Sequence, residues 1–319
     1  MMTKQKKISY AIIALTFVLV WALHLPTMFI TALFSYFILT KLRFRGSKTL
    51  AMSLFCLVVV IVCLGGISFS KHAYAAGPHI VAITVPAVVD FARLHGIELP
   101  FQDYQSMKDA LKDTIIGQYA NIGHYTKVLA VEIAEFIVGL VVAGSLFMSH
   151  SIKLEAEDNA IPDNIYVLVW EELLERFRLL YQSFSTVMGA QIVISSINSV
   201  LTTIFLLWSQ LPYAIILVMV TFCAGLLPIV GNLISNTLIV CVALTISPKM
   251  ALIALLYLIA LHKLEYFLNS KIIGDRIKNP LWLTLIALIV GEVILGIPGM
   301  VLAPMVLYYI KVEASTSQL

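Results

Sequence analysis

From Leu179 to Pro248 the chain runs 70 residues without a single Asp, Glu, Lys or Arg. A soluble domain of this size must turn a polar half toward water, so it cannot carry such a run. Hydrocarbon reverses the constraint. A charged side chain at the bilayer centre costs about 2.5–3.5 kcal/mol on insertion scales, and spanning segments exclude it. A helix crosses with roughly 20 apolar residues. The run therefore holds about three crossings, or two and a hairpin that turns back inside the membrane. It is interrupted by GLLPIVGN at 225–232. Broken backbone at membrane depth is tolerated only where it is buried in protein or lines a cavity, which points to transport.

Composition agrees with a polytopic membrane protein. Apolar residues make up 60% of the 319 positions, charged residues 12%, and mean hydropathy is +0.96, whereas soluble domains carry about 25% charged residues. The net charge of +3 comes without a basic patch, so nucleic acid is not an expected partner. Cys56, Cys63, Cys223 and Cys241 lie in apolar runs with no CxxC spacing and read as small apolar side chains, not as a metal site or disulfide. No cofactor is expected. KQKK at 4–7 leads into an apolar run with no small-x-small cleavage pattern, and a second run follows from Leu25, so the first reads as a retained helix.

The fold class expected is all-α and polytopic, with about eight apolar segments near 8–23, 25–40, 49–69, 131–148, 188–209, 211–247, 250–264 and 281–310. Simple alternation from a cytoplasmic N-terminus leaves Lys71, Arg93, Lys108, Lys112, Lys127 and Lys249 outside. The other 15 of the 21 basic residues then fall inside. The positive-inside bias thus places both termini and the segments 41–48, 149–187 and 265–280 on the cytoplasmic side, with 70–130 outside.

Five regions follow: N-terminal scaffold helices at 1–69, an outer membrane-flanking region at 70–130, a fourth spanning helix with a cytoplasmic linker helix at 131–187, a transport core at 188–312, and a tail at 313–319. In the outer region Met107, Leu111 and Ile115 share a helical face behind a capping-box start at Ser106. In the linker helix Trp170, Leu173, Leu174, Phe177 and Tyr181 share another, suited to the membrane surface or a neighbouring subunit.

The stretch 211–247 is broken at Pro228 and Gly231, and 281–310 by GIPG at 296–299. An unbroken helix of 30 residues would be about 45 Å long, too long for a hydrocarbon core of about 30 Å. Halved, each arm is too short to span. Both read as re-entrant hairpins, each preceded by a plain helix, and together as an inverted repeat with both tips near the midplane. Interrupted segments at corresponding positions point to a transporter's binding site. Two ordinary hairpins with tight turns are the alternative.

Candidate residues follow from this arrangement. Gln191, Ser195, Asn198 and Thr202 share one face of a helix, either as a substrate path or as helix–helix hydrogen bonds. Asn232 and Asn236 lie one turn apart after the first break, where freed carbonyls and a helix N-terminus are available. Glu292 is the one ionisable residue of the second hairpin and stands just before Gly296; an intramembrane carboxylate is a functional candidate by default. Glu132 and Glu135 suit the N-terminal dipole of the 131–148 helix. His262 and Glu265 share a face, with Lys263 and Lys271 as alternative partners for Glu265. His24 at the first turn has no assigned role. GxxxxGK[ST], HExxH and GxSxG are all absent, so neither a nucleotide-driven pump nor an enzyme is expected.

GLLPIVGNLISN (225–236), after Gly189 and Gln191, resembles the Ile-Pro-x-x-Gly signature of the autoinducer-2 exporter-like family of bacterial permeases. Residues 263–306 resemble that family's second hallmark at Glu265, Asn269, Lys271, Gly274, Gly296, Gly299 and Pro304. Ser270 departs from it, standing where the family often has Pro. The likeness is specific over 185–312 and architectural before that. It implies an elevator-like secondary carrier, a homo-oligomer (a pentamer in the family), and autoinducer-2 export or, in some members, sodium–proton exchange. The expected function is transport of a small polar metabolite between the hairpin tips, through Gln191, Asn198, Pro228, Gly231, Asn232, Asn236, Glu265, Glu292, Gly296 and Gly299. The alternatives are a sodium (cation)/proton antiporter working through Glu292 or Glu265, and a non-transporting envelope scaffold.

Overall fold

The computed structural model describes residues 3–43, 46–99, 105–106, 122–149, 165–227, 230–273 and 280–316. Among them every extended element is an α-helix: α1 (Lys4–Ala22), α2 (Pro26–Lys41), α3 (Lys48–Leu94), α4 (Ile122–Met148), α5 (Ile165–Trp208), α6 (Ala214–Gly225), α7 (Val230–Leu244), α8 (Pro248–Ile273) and α9 (Leu281–Thr316). Six of the described helices, α1, α3, α4, α5, α8 and α9, are long and apolar enough to cross a membrane, and α6 and α7 are shorter apolar helices. The polytopic, all-helical expectation holds.

Local chemistry sets several boundaries. The Thr3 hydroxyl caps α1 by accepting from the Lys6 N–H at 3.4 Å. Pro26 opens α2, where its missing N–H would have no helical partner in any case. The expected span at 25–40 is the 16-residue helix α2, about 24 Å long.

Two helices run further than the apolar segments suggest. The 47 residues of α3 continue through Pro78 and Pro86 into the region expected as an outer flank. The 44 residues of α5 join the amphipathic linker helix to the charge-free helix without a break. The hydropathy change at these points marks a change of environment along one rod, not the end of a helix. Met107, Leu111 and Ile115 lie outside the described residues.

The chain forms two compact units. One comprises Met1–Val59, Leu129–Gly189 and Arg276–Leu319; the other Val60–Val128 and Ala190–Asp275. The 188–312 segment is thus shared between them.

In the first unit Leu39, Ala51, Phe55, Ala143 and Phe147 form an apolar core where α2, α3 and α4 meet. Gly139 makes the approach possible, since a Cβ there would lie 2.7 Å from the Met28 carbonyl oxygen. Glu135 is buried and accepts from the Met28 N–H at 3.2 Å. α4 begins at Ile122, so Glu132 and Glu135 sit in its interior; the dipole Glu135 complements is that of α2, close to Pro26. At another point Arg176, buried on α5, donates to the Glu172 carboxylate at 2.5 Å and lies 4.1 Å from the Tyr10 ring centroid. Glu313 of α9 accepts from the Tyr10 hydroxyl and stands 3.9 Å from Arg176. One buried guanidinium therefore ties α1, α5 and α9.

The second unit packs Phe205, Leu206, Leu217, Ile239, Val242, Ala254, Leu258 and neighbours into a continuous core. It contains the charge-free part of α5, the α6–α7 pair and α8.

Candidate functional site

The first break is a true fold-back. α6 ends at Gly225 and α7 starts at Val230. At 12 and 15 residues, the two helices are about 18 and 22 Å long, each shorter than a hydrocarbon core of about 30 Å. A Cβ on Gly231 would lie 1.6 Å from the Ala224 carbonyl oxygen. Only hydrogen fits there, so the turn requires glycine for space and not for φ.

Ending α6 leaves carbonyls without helical partners, and the polar face of α5 supplies them. Gln191 Nε2 donates to the Gly225 carbonyl at 2.5 Å, and Ser195 Oγ donates to the Phe222 carbonyl at 2.7 Å. Half of the polar stripe is therefore a clamp on the broken helix. Gln191 and Ser195 thus make hydrogen bonds between helices.

Asn198, one turn further along α5, does something else. Its Nδ2 donates to Glu265 Oε2 at 3.2 Å. Asn232, in the first turn of α7, donates Nδ2 to the same carboxylate, 2.7 Å from Oε1 and 2.6 Å from Oε2. Glu265 is 8% exposed, and its one ion-pair neighbour among the described residues is His262, Nδ1 at 3.9 Å, whose own side chain is largely exposed. Neither Lys263 nor Lys271 pairs with it; the Lys271 ammonium lies instead over the Phe267 ring at 5.9 Å. The Glu265 carboxylate is thus held by amide dipoles from two other helices, α5 and α7. Charge-assisted hydrogen bonds of this kind are stronger than neutral ones.

The remaining candidates separate. Asn236 is half-buried one turn beyond Asn232 on α7, and Pro228 lies outside the described residues. The second hairpin is also real. Gly296 has φ 64° and ψ −148°, a conformation that breaks α9 and that glycine adopts with little strain. The arms close so tightly that a Cβ on Gly299 would lie 1.9 Å from the Gly291 carbonyl oxygen. Glu292, next to that contact, is exposed in the chain, not buried in its own unit. The side chain of Asn269 and the whole of Gly274 lie outside the described residues.

Sequence reasoning offered Lys263 and Lys271 as partners for Glu265. What it missed was that Asn198 and Asn232, 67 and 33 residues away, converge on it. The usable signal was the pair of Asn residues in a charge-free run, which need a polar partner somewhere.

"Putative transport protein YdbI" of Bacillus subtilis (strain 168) is 26% identical to the chain over 266 residues, which cover 81% of the chain and 74% of that protein. No solved structure matches the chain. A family profile described as AI-2E family transporter matches residues 8–316. A charge-free helical core, two glycine-closed hairpins and a match over nearly the whole length make the chain a member of the AI-2E family of membrane transporters.

Proposed function

We propose that the protein is a secondary carrier for a small polar metabolite and that Glu265, held by Asn198 and Asn232, is its binding carboxylate. The observation that carries this reading is the carboxylate itself, 8% exposed with amide donors and no lysine or arginine on it among the described residues. A buried charge without a cation is costly unless something complements it. Hydroxyl donors of a polyhydroxylated metabolite would do so. Autoinducer-2, the compound for which the family is named, is the first substrate to assay. The basic-residue distribution supports an orientation with both termini cytoplasmic, and the family resemblance supports a bacterial inner membrane and a homo-oligomer.

A second reading, exchange of sodium for protons, draws on the same feature, because a carboxylate flanked by amides offers a monovalent cation oxygen ligands and a proton site. Purified protein in liposomes separates the two. Uptake or efflux of the metabolite, lost in Glu265→Gln, supports the first. Cation flux driven by a pH gradient and lost in the same variant supports the second. Flux of neither kind would overturn both and favour a scaffold.

A further inference from the structure

Where α1, α5 and α9 meet in the first unit lies a cavity of about 260 Å³. Its innermost cation is Arg176, buried and held by Glu172 at 2.5 Å and by Glu313 at 3.9 Å. Around it stand Lys6 of α1 and Glu175, Arg178 and Gln182 of α5, all four exposed. Leu179 is the one apolar residue of the lining among the described residues. Lys6, Glu175 and Arg178 make no ion pair among the described residues, either with one another or with the inner group.

Each helix reaches this cavity where its sequence changes from charged to apolar. Lys6 and Lys7 precede the apolar run that begins at Ile8. Arg178 is the last charge before the 70-residue run, and Lys311 and Glu313 follow the apolar segment 281–310. Three segments far apart in the chain thus set the cavity at one depth, the border of the hydrocarbon core where lipid headgroups lie. Under the topology argued from the basic residues, that border belongs to the inner leaflet.

The charges select among headgroups. Lys6, Arg176 and Arg178 face three carboxylates, Glu172, Glu175 and Glu313. A purely anionic headgroup would bring its charge against all three carboxylates with nothing to offer them. A ligand with separated positive and negative groups meets both sets. Of the charges left unpaired at the rim, two are cations suited to a phosphate, and the third is a carboxylate suited to an N–H donor. Quaternary ammonium groups lack such a donor and are recognised by aromatic faces; no aromatic residue lines the cavity among the described residues.

We propose that this cavity binds the headgroup of a phospholipid with a primary ammonium, phosphatidylethanolamine, with its phosphate on Lys6 and Arg178 and its ammonium on Glu175. The site stands apart from Glu265 and does not depend on what the protein carries.

Native mass spectrometry of delipidated, detergent-solubilised protein tests it. Phosphatidylethanolamine, phosphatidylcholine and phosphatidylglycerol with identical acyl chains are titrated separately, and bound lipid is counted per chain. The ethanolamine lipid should be retained about tenfold more tightly than either of the others, the size of one charge-assisted contact. Equal retention of the three, or tighter retention of the glycerol lipid, would overturn the assignment without recourse to any variant. Lys6→Gln combined with Arg178→Gln should lower retention of the ethanolamine lipid by about tenfold or more. Glu175→Gln should bring it down to the level of the choline lipid. All three side chains are exposed, so thermal unfolding in lipid-free detergent should match that of the unaltered protein. Unchanged lipid retention with an altered oligomer mass would give the rim to a neighbouring subunit and likewise overturn the lipid site.

Discussion

The two broken hairpins reach the same backbone solution by different means. Both close by backbone contact at a glycine, Gly231 against Ala224 and Gly299 against Gly291. The α6–α7 turn is then sewn to its surroundings by polar side chains: Gln191 and Ser195 hold its freed carbonyls, and Asn232 reaches Glu265. The hairpin of α9 turns on the left-handed φ of Gly296, and its one ionisable residue, Glu292, points away from the packing of its own unit. A helix break in the membrane is therefore not a site by itself. What sets the first break apart is the polar side chains that neighbouring helices bring to it.

Space at the closing glycines should produce the largest effect, and in both hairpins. A methyl group at Gly231 or Gly299 would meet a backbone carbonyl oxygen at 1.6 or 1.9 Å, a distance that no side-chain adjustment relieves. Gly231→Ala and Gly299→Ala should each remove most of the folded protein, read as monodisperse yield in detergent. Normal yield for either variant would show that the hairpin can open without cost.

Next in size is the contrast between carboxylates. Glu265→Gln should lower flux about a hundredfold or more with folding intact, while Glu292→Gln should change it less than about twofold and leave its pH profile unaltered. The first estimate corresponds to loss of a charge-assisted contact worth about 3 kcal/mol. A reversal of the two results would move the site to the second hairpin.

Amide removal should weaken the site in graded fashion. Asn232→Ala takes away two short contacts to the carboxylate, and Asn198→Ala one longer contact. At about 1–3 kcal/mol for leaving a buried acceptor short of donors, the first should raise the apparent KM by about tenfold or more and the second by less. Equal effects would mean that the carboxylate does not discriminate between its two donors.

The smallest effect belongs to the clamp. Gln191→Ala leaves the Gly225 carbonyl without its donor, and should cost about 1 kcal/mol of stability with little change in flux once folded. It is measured by thermal unfolding of the purified protein. A large loss of flux without loss of stability would make Gln191 a ligand-contacting residue.

Much of this could be read from the chain. A run of 70 residues without charge admits only a membrane interior, because no other medium tolerates it. The interruptions at 225–232 and 296–299 marked both hairpins, since glycine and proline at membrane depth must be accommodated somewhere. The periodicity of Gln191, Ser195, Asn198 and Thr202 placed them on one face correctly, because helical geometry is local. Helix ends were less legible: α3 runs through two prolines and α5 through a change from polar to apolar sequence, neither of which hydropathy alone resolves.

Tertiary structure decided which polar residues meet. Nothing in their spacing distinguishes Gln191, which clamps a carbonyl, from Asn198, which holds a carboxylate. Those roles depend on where α6, α7 and α8 lie against α5. Sequence determined the solvent, the helices and the breaks, because hydrophobicity and backbone sterics act over a few residues at a time. The meeting of Asn198, Asn232 and Glu265 was decided by packing between segments 33 and 67 residues apart in the chain, where a hydrogen bond's partner is chosen by distance in space and not by position in the sequence.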